Sequence, residues 1–220
     1  MKRLLIFGNS QMADIVYTYF KTESDIPISA FIVDGKYIKE DHFLGLPVIE
    51  FENILNYFSP EDYSMSIIMS AKNNNKIREE KYRMAKKLGF EFQNFISPKA
   101  TVLPKSHISE NCFILENNVI QHYAKIGENS ILWSGNHIGH HSSIGRNSFL
   151  SSHVVISGRC EIGSNCYFGV NSNIRDGAKI GNNVVVGAGA NVLKDIEDNK
   201  VVMGLPGKTI GLASDQVSIL

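Results

Sequence analysis

Four of the chain's seven histidines fall between residues 137 and 153: His137, His140, His141 and His153. Imidazoles at this density support two kinds of chemistry near neutral pH. A neutral ring can take a proton from an attacking amine or hydroxyl, and several rings together can bind zinc. Spacing adds a further fact. His122 and His140 stand 18 residues apart, and one place on Tyr123 and His141 repeat that interval. Near the N-terminus, Gly8-Asn9-Ser10-Gln11 follows the apolar run Arg3–Phe7, either as a turn that admits a nucleotide phosphate or as a plain tight turn into a helix. Asp34-Gly35 closes a second apolar run, where Asp34 either accepts hydrogen bonds from a base or ribose or sits solvated.

The interval of 18 belongs to a longer pattern that must position these groups. Taking every sixth residue from Val102 gives Ile108, Ile114, Ile120, Ile126, Leu132, Ile138, Ile144, Leu150, Ile156, Ile162, Phe168, Ile174, Ile180, Val186 and Val192, without a slip. Four places after each sits a residue that is usually small, Cys112, Cys160 and Cys166 among them, and glycine often follows the aliphatic position directly. Neither a helix nor an isolated strand has this period; a solenoid with one hexad per face does, and three hexads make an 18-residue coil. His122 and His140 then stack on one corner, with Tyr123 and His141 in the adjacent column. A corner projects outward, where a neighbouring subunit can cover a base and still let a ligand reach it. The cysteines fall in the small inward slot and read as core fillers.

Before residue 98 the period is different. Strands are predicted over 3–7, 28–33, 65–70 and 90–96, and helices over 12–20, 51–58 and 75–88, the last a solvated charged face. Strands alternating with helices make a small parallel α/β domain. The division is therefore residues 1–98, a Rossmann-like domain, and 99–220, a β-helix.

Composition excludes several partners. Twenty-two basic residues balance 22 acidic ones, so no bulk charge draws the chain to nucleic acid or an anionic membrane. Apolar runs are too short to span a bilayer, and no signal peptide opens the chain. Three cysteines are too few for a disulfide framework, which makes the cytoplasm the expected compartment.

These landmarks carry a resemblance. The hexads resemble those of the hexapeptide-repeat transferases, which imply a left-handed parallel β-helix and a homotrimer. With Ile6-Phe7-Gly8-Asn9-Ser10, Asp34, Asn75 with Arg78, Ser97-Pro98-Lys99-Ala100 and Gly204-Leu205-Pro206-Gly207-Lys208, the whole chain is similar to the bacterial sugar-nucleotide acetyltransferases. That group includes N-acetyltransferases of UDP-4-amino sugars and relatives described as sialic acid O-acetyltransferases. The resemblance implies an acetyl-CoA-dependent N-acetyltransferase of bacterial surface glycan synthesis (lipopolysaccharide or capsule), with acetyl-CoA as co-substrate and no metal. It makes His140 the general base and puts His141 where the family carries an acidic residue. Coenzyme contacts fall on Phe149, Gly158, Gly187, Ala188 and Lys208, and the nucleotide sugar on Gly8, Ser10, Gln11, Asp34 and Gly35. Two positions depart from the pattern. Phe149 replaces a histidine nine places after the base, and the glycine-rich turn keeps only Gly8 and Ser10.

Other readings stay open beside this one. The acceptor is an amine or, in the sialic acid type, a hydroxyl. His137, His140, His141 and His153 could instead bind zinc in a carbonic-anhydrase-like hydratase, and a trimer could simply display its α/β domains. His107 and His122 read as structural or rim residues. Trp133, beside the expected site, packs between subunits or touches substrate.

Overall fold

A computed structural model describes residues 2–204. Its first strand, β1 (Arg3–Phe7), is the centre of a sheet because Leu4, Leu5 and Ile6 are inaccessible on both sides. Next come α1 (Gln11–Glu23), β2 (Ile28–Val33), a short hairpin of β3 (His42–Phe43) and β4 (Leu46–Glu50), β5 (Tyr63–Ser66), α2 (Lys76–Lys87) and β6 (Glu91–Phe92). The strand order is β3-β4-β2-β1-β5-β6, parallel except for β3 at the edge. The chain thus moves outward from β1 through β2 to β4, then returns to the other side of β1 with β5. That reversal falls at the carboxyl ends of β1 and β5, the place where open α/β sheets take ligands.

Three elements differ from the sequence expectation. The helix over 51–58 is a run of 3-10 turns, Phe51–Asn56. The strand over 65–70 stops at Ser66 because the Ile67 backbone pairs with a side chain, donating to Asn111 Oδ1 at 2.9 Å and accepting from Asn111 Nδ2 at 3.1 Å. The strand over 90–96 divides. Glu91–Phe92 pairs with β5, whereas Phe95–Ile96 pairs with Phe113–Ile114 and is the first rung of the second domain.

From there two-residue rungs stack into a left-handed parallel β-helix with three faces. The first face runs from Phe95–Ile96 to Val201–Val202, the second from Thr101–Val102 to Asn191–Val192, and the third from His107–Ile108 to Lys179–Ile180. Each rung turns its second residue inward, and these residues form the predicted apolar column, with Cys112, Cys160 and Cys166 buried among them. Val102 is 37% exposed, since no coil lies beneath the lower end of its face.

The third residue after every aliphatic position has positive φ, from Lys105 to Gly189. Left-handed backbone is comfortable for Gly and tolerable for Asn, and it costs other residues more. The third-to-first corner meets this demand with asparagine throughout: Asn111, Asn129, Asn147, Asn165 and Asn183. Asn111 donates to Asn129 at 2.7 Å and Asn129 to Asn147 at 2.8 Å, in a buried ladder.

Helix α2 docks on that ladder, which corrects its reading as a solvated face. The Arg78 side chain is wholly buried and donates to the carbonyls of Asn129, Met69, Asn147 and Ser148 and to Asn75 Oδ1. On the other side of the sheet, α1 packs with Leu4, Phe31 and Phe95 onto Phe113, Ile131 and Phe149 of the first face. Tyr19 donates to Glu116 across this seam, and Ser134 on the next coil donates to the same carboxylate. One face of the prism is thereby covered by the chain's own first domain.

Candidate active site

His140 lies just past the second-face rung His137–Ile138, on the second-to-third corner. The left-handed column of this corner reads Lys105, Tyr123, His141, Arg159, Gly177, with φ between 57° and 71°. Four successive coils here hold bulky side chains in the conformation that the asparagine corner avoids forcing. Backbone strain is thus concentrated at one corner of an otherwise regular solenoid.

The column before it reads His122, His140, Gly158, Asp176. His140 and His141 are both exposed, and their Nδ1 atoms are 3.1 Å apart with the rings at 83°. His141 stacks on Tyr123 at 4.6 Å between ring centroids, and Lys105 sits over the other side of Tyr123 at 5.3 Å. Gln121 Oε1 accepts from the His140 backbone N–H at 2.9 Å. His140 is thus held through its backbone and Nδ1, leaving its Nε2 edge toward Gly158. A Cβ on Gly158 would lie 2.9 Å from His140 Cε1 and Nε2 and 2.8 Å from Asp176 Oδ1, so any larger residue would have to push these two exposed side chains aside. The Gly158 N–H donates to no acceptor among the described residues. An imidazole and a free backbone donor one coil apart have the chemistry for two of the three requirements of acyl transfer, the third being alignment of the substrates.

Gln121 and Asp176 are site neighbours that the sequence reading missed. The interval of 18 applied a second time from His140 leads to Asp176. Arg159 donates to Asp176 Oδ2 at 2.5 Å, and this hydrogen bond holds the carboxyl below its ordinary range.

The expected nucleotide residues gather at the carboxyl ends of β1 and β2. Gly8 has φ 118° and donates to Ile32 O at 2.7 Å, Ser10 precedes α1, and Gln11 is its first residue. Asn9 Nδ2 bridges to Tyr37 O at 3.0 Å, tying this loop to the turn after Gly35. Asp34 is buried and paired with Lys81 at 2.5 Å, so it is neither free nor solvated. Phe149 is buried on the first face, stacked on Tyr167 at 5.8 Å, on the side of the prism opposite the His140 corner. Trp133 packs into the same seam cluster and not beside His140. Gly187 and Ala188 follow the first-face rung Val185–Val186, on the first-to-second corner. His153 lies on that corner too, with its ring over Gly135, so within one subunit it does not meet His140. Among the described residues no group of three or more metal-ligating side chains converges. Pro206 to Lys208 lie outside the described residues.

The sequence profile of the bacterial transferase hexapeptide family (six repeats) matches residues 105–140, 123–158 and 159–194. Residues 105–194 therefore carry hexapeptide repeats of that family. Solved structures extend the likeness over both domains. A histidine-to-asparagine variant of perosamine N-acetyltransferase from Caulobacter crescentus, in complex with CoA and GDP-perosamine, superposes with a TM-score of 0.83 at 23% identity, over 96% of this chain and 98% of that one. The acetyltransferase domain of PglB from Neisseria gonorrhoeae gives 0.80 at 24%, covering 96% and 100%. Its complex with acetyl coenzyme A gives 0.62 at 25%, covering 95% and 99%. This hexapeptide-repeat chain therefore has the two-domain fold of those acetyltransferases. Among curated proteins none matches its sequence.

Proposed function

We propose that the chain is an acetyl-CoA-dependent N-acetyltransferase of a nucleotide-linked amino sugar, working as a cytoplasmic homotrimer in bacterial surface glycan synthesis. The observation that carries this reading is the second-to-third corner, where the Nε2 edge of His140 faces Gly158, whose N–H has no acceptor among the described residues. The like-folded proteins supply the substrate classes, since their complexes hold CoA with GDP-perosamine, or acetyl coenzyme A.

The residues divide the work as follows. Gly8, Ser10, Gln11 and Gly35 hold the nucleotide sugar in the first domain. His140 donates its Nδ1–H to His141 Nδ1, which keeps a lone pair on Nε2. That nitrogen takes the proton from the amine as the amine nitrogen bonds to the thioester carbonyl carbon. The Gly158 N–H donates to the carbonyl oxygen as negative charge builds there. The carbon–sulfur bond then breaks, and the His140 proton passes to the departing thiolate. His141 is a neutral acceptor in the place of an anion, and it orients the ring without adding charge.

The chemistry of the faces supports a trimer. The first is covered by the chain's own domain, and the third carries Lys125, Glu161 and Lys179. The second presents Thr101, Val119, His137, Val155, Asn173 and Asn191, without a formal charge, as the face for a neighbour. Because a subunit's first domain lies across the prism from its own His140, each site takes its nucleotide domain from an adjacent copy. Gly187 and Ala188 then border the coenzyme from the neighbouring side.

The test is a thermal-shift screen of sugar nucleotides with and without acetyl-CoA, followed by release of free thiol. Stabilisation and thiol release with a nucleotide-linked amino sugar are expected. Activity confined to a hydroxyl acceptor would move the assignment to O-acetylation, and zinc-dependent hydratase activity without thiol release would reject it.

A further inference from the structure

The corner lacks the acid that follows the base in the resembled family, yet a carboxylate reaches the same ring from above. Asp176 stands two coils over His140, with only Gly158 between them. Both groups lie within 2.9 Å of the one point where a Gly158 side chain would begin. The two carboxylate oxygens are differentiated. Oδ2 accepts from Arg159 Nη2, and Oδ1 is left facing the His140 Nε2 edge.

Given the base role assigned to His140 above, on which this inference rests, we propose that Asp176 is its positioning residue. Its Oδ1 favours the imidazolium once Nε2 has taken a proton, and Arg159 fixes the carboxylate so that this oxygen points inward. An anion on the Nε2 side of the ring favours the protonated form, whereas the neutral Nδ1 partner does not. Asp176 thus takes over from two coils away the electrostatic part of the work normally done by the adjacent acid.

The groups around the ring are few. Gln121, His122 and Tyr123 lie on the coil below, His141 is beside it, Arg159 is on the coil above, and Asp176 and Arg175 are above that. His122 Nδ1 is engaged with Pro104 O, and Arg175 bears on Asp176 from the same coil.

The experiment follows the His140 ring by NMR across a pH titration of the intact protein, without any substrate, in the parent, Asp176→Asn and Asp176→Glu. Asp176→Asn should move the His140 midpoint to lower pH, more at low salt than at high, with melting unchanged. Asp176→Glu should restore most of the shift. A midpoint unmoved by Asp176→Asn, or moved equally at low and high salt, would overturn the pairing. Thiol release is measured in parallel, and its pH–rate limb should move with the ring. A shifted ring in a protein that transfers no acetyl group would leave the pairing standing and sink the catalytic reading instead.

Discussion

Arg78 is the sharpest test of how the two domains are held together. Its guanidinium makes five hydrogen bonds to acceptors on Met69, Asn75, Asn129, Asn147 and Ser148, with distances from 2.9 to 3.3 Å and no exposed surface. Burial pulls its pKa down to about 9, which still leaves it charged at neutral pH. Replacing it with Met fills much of the volume but takes the donor from the carbonyls of Met69, Asn129 and Asn147 and from Asn75 Oδ1, while the Ser148 carbonyl keeps the Ile131 N–H. Breaking such a buried charged network costs about 3–5 kcal/mol. For a chain of this size each kcal/mol lowers Tm by about 2–4 °C, so a fall of about 6–20 °C is expected. Arg78→Lys keeps the charge but not the planar fork that spans the carbonyls of two coils, so it should recover only part of the loss. Urea unfolding followed by circular dichroism gives the free energies, and amide exchange at α2 and the asparagine corner shows whether the seam opens first. Arg78→Met within about 1 kcal/mol of the parent would refute the claim that this side chain joins the domains.

Three further outcomes follow from the same geometry. Ile162→Ala removes an inward residue of the third face, 5% exposed, and should cost about 2–5 kcal/mol in urea unfolding; a variant that melts like the parent would misplace the inward column. Gly158→Ala puts a methyl against the His140 ring and Asp176, so turnover should fall by at least about 100-fold on loss of alignment with the fold intact; full activity would exclude this gap as the site. In the seam, burial pushes Glu110 and Glu116 up, but hydrogen bonds from Lys86 and Tyr82, and from Ser134 and Tyr19, outweigh it and hold both carboxyls below the ordinary range. A carboxyl depressed in the folded state adds stability above its unfolded value and loses it as pH falls through its folded one. The parent should therefore weaken below about pH 4, and Glu110→Gln with Glu116→Gln should flatten that acid slope in urea midpoints taken from pH 7 to 3.

The β-helix was legible because its geometry repeats in the residues themselves. One inward aliphatic per hexad and 18 residues per coil were enough to place His140 under Gly158 and beside the Tyr123–His141 column. The α/β domain was less legible at its junctions. Ser66 ends a strand and Phe95 begins another sheet because Asn111 and the Cys112 carbonyl, far off in sequence, accept or replace the local pairing. Periodicity within a short window holds no trace of such contacts. Arg78 was misread for a related reason: a charged residue on a helix is normally solvated, and only the stacked carbonyls of a solenoid corner make its burial possible. Trp133 was misplaced because its position in the hexad fixes an outward direction but not what covers that face.

The central claim is that His140 is the proton acceptor and His141 only its orienting partner. Thiol release should be compared in the parent, His140→Ala and His141→Asn, the last chosen because asparagine tolerates the left-handed backbone at 141. Removing a positioned base costs about two to four orders of magnitude in turnover. His140→Ala should lose that much with nucleotide-sugar binding and melting unchanged, and His141→Asn should lose distinctly less. An active His140→Ala beside a dead His141→Asn would contradict the account.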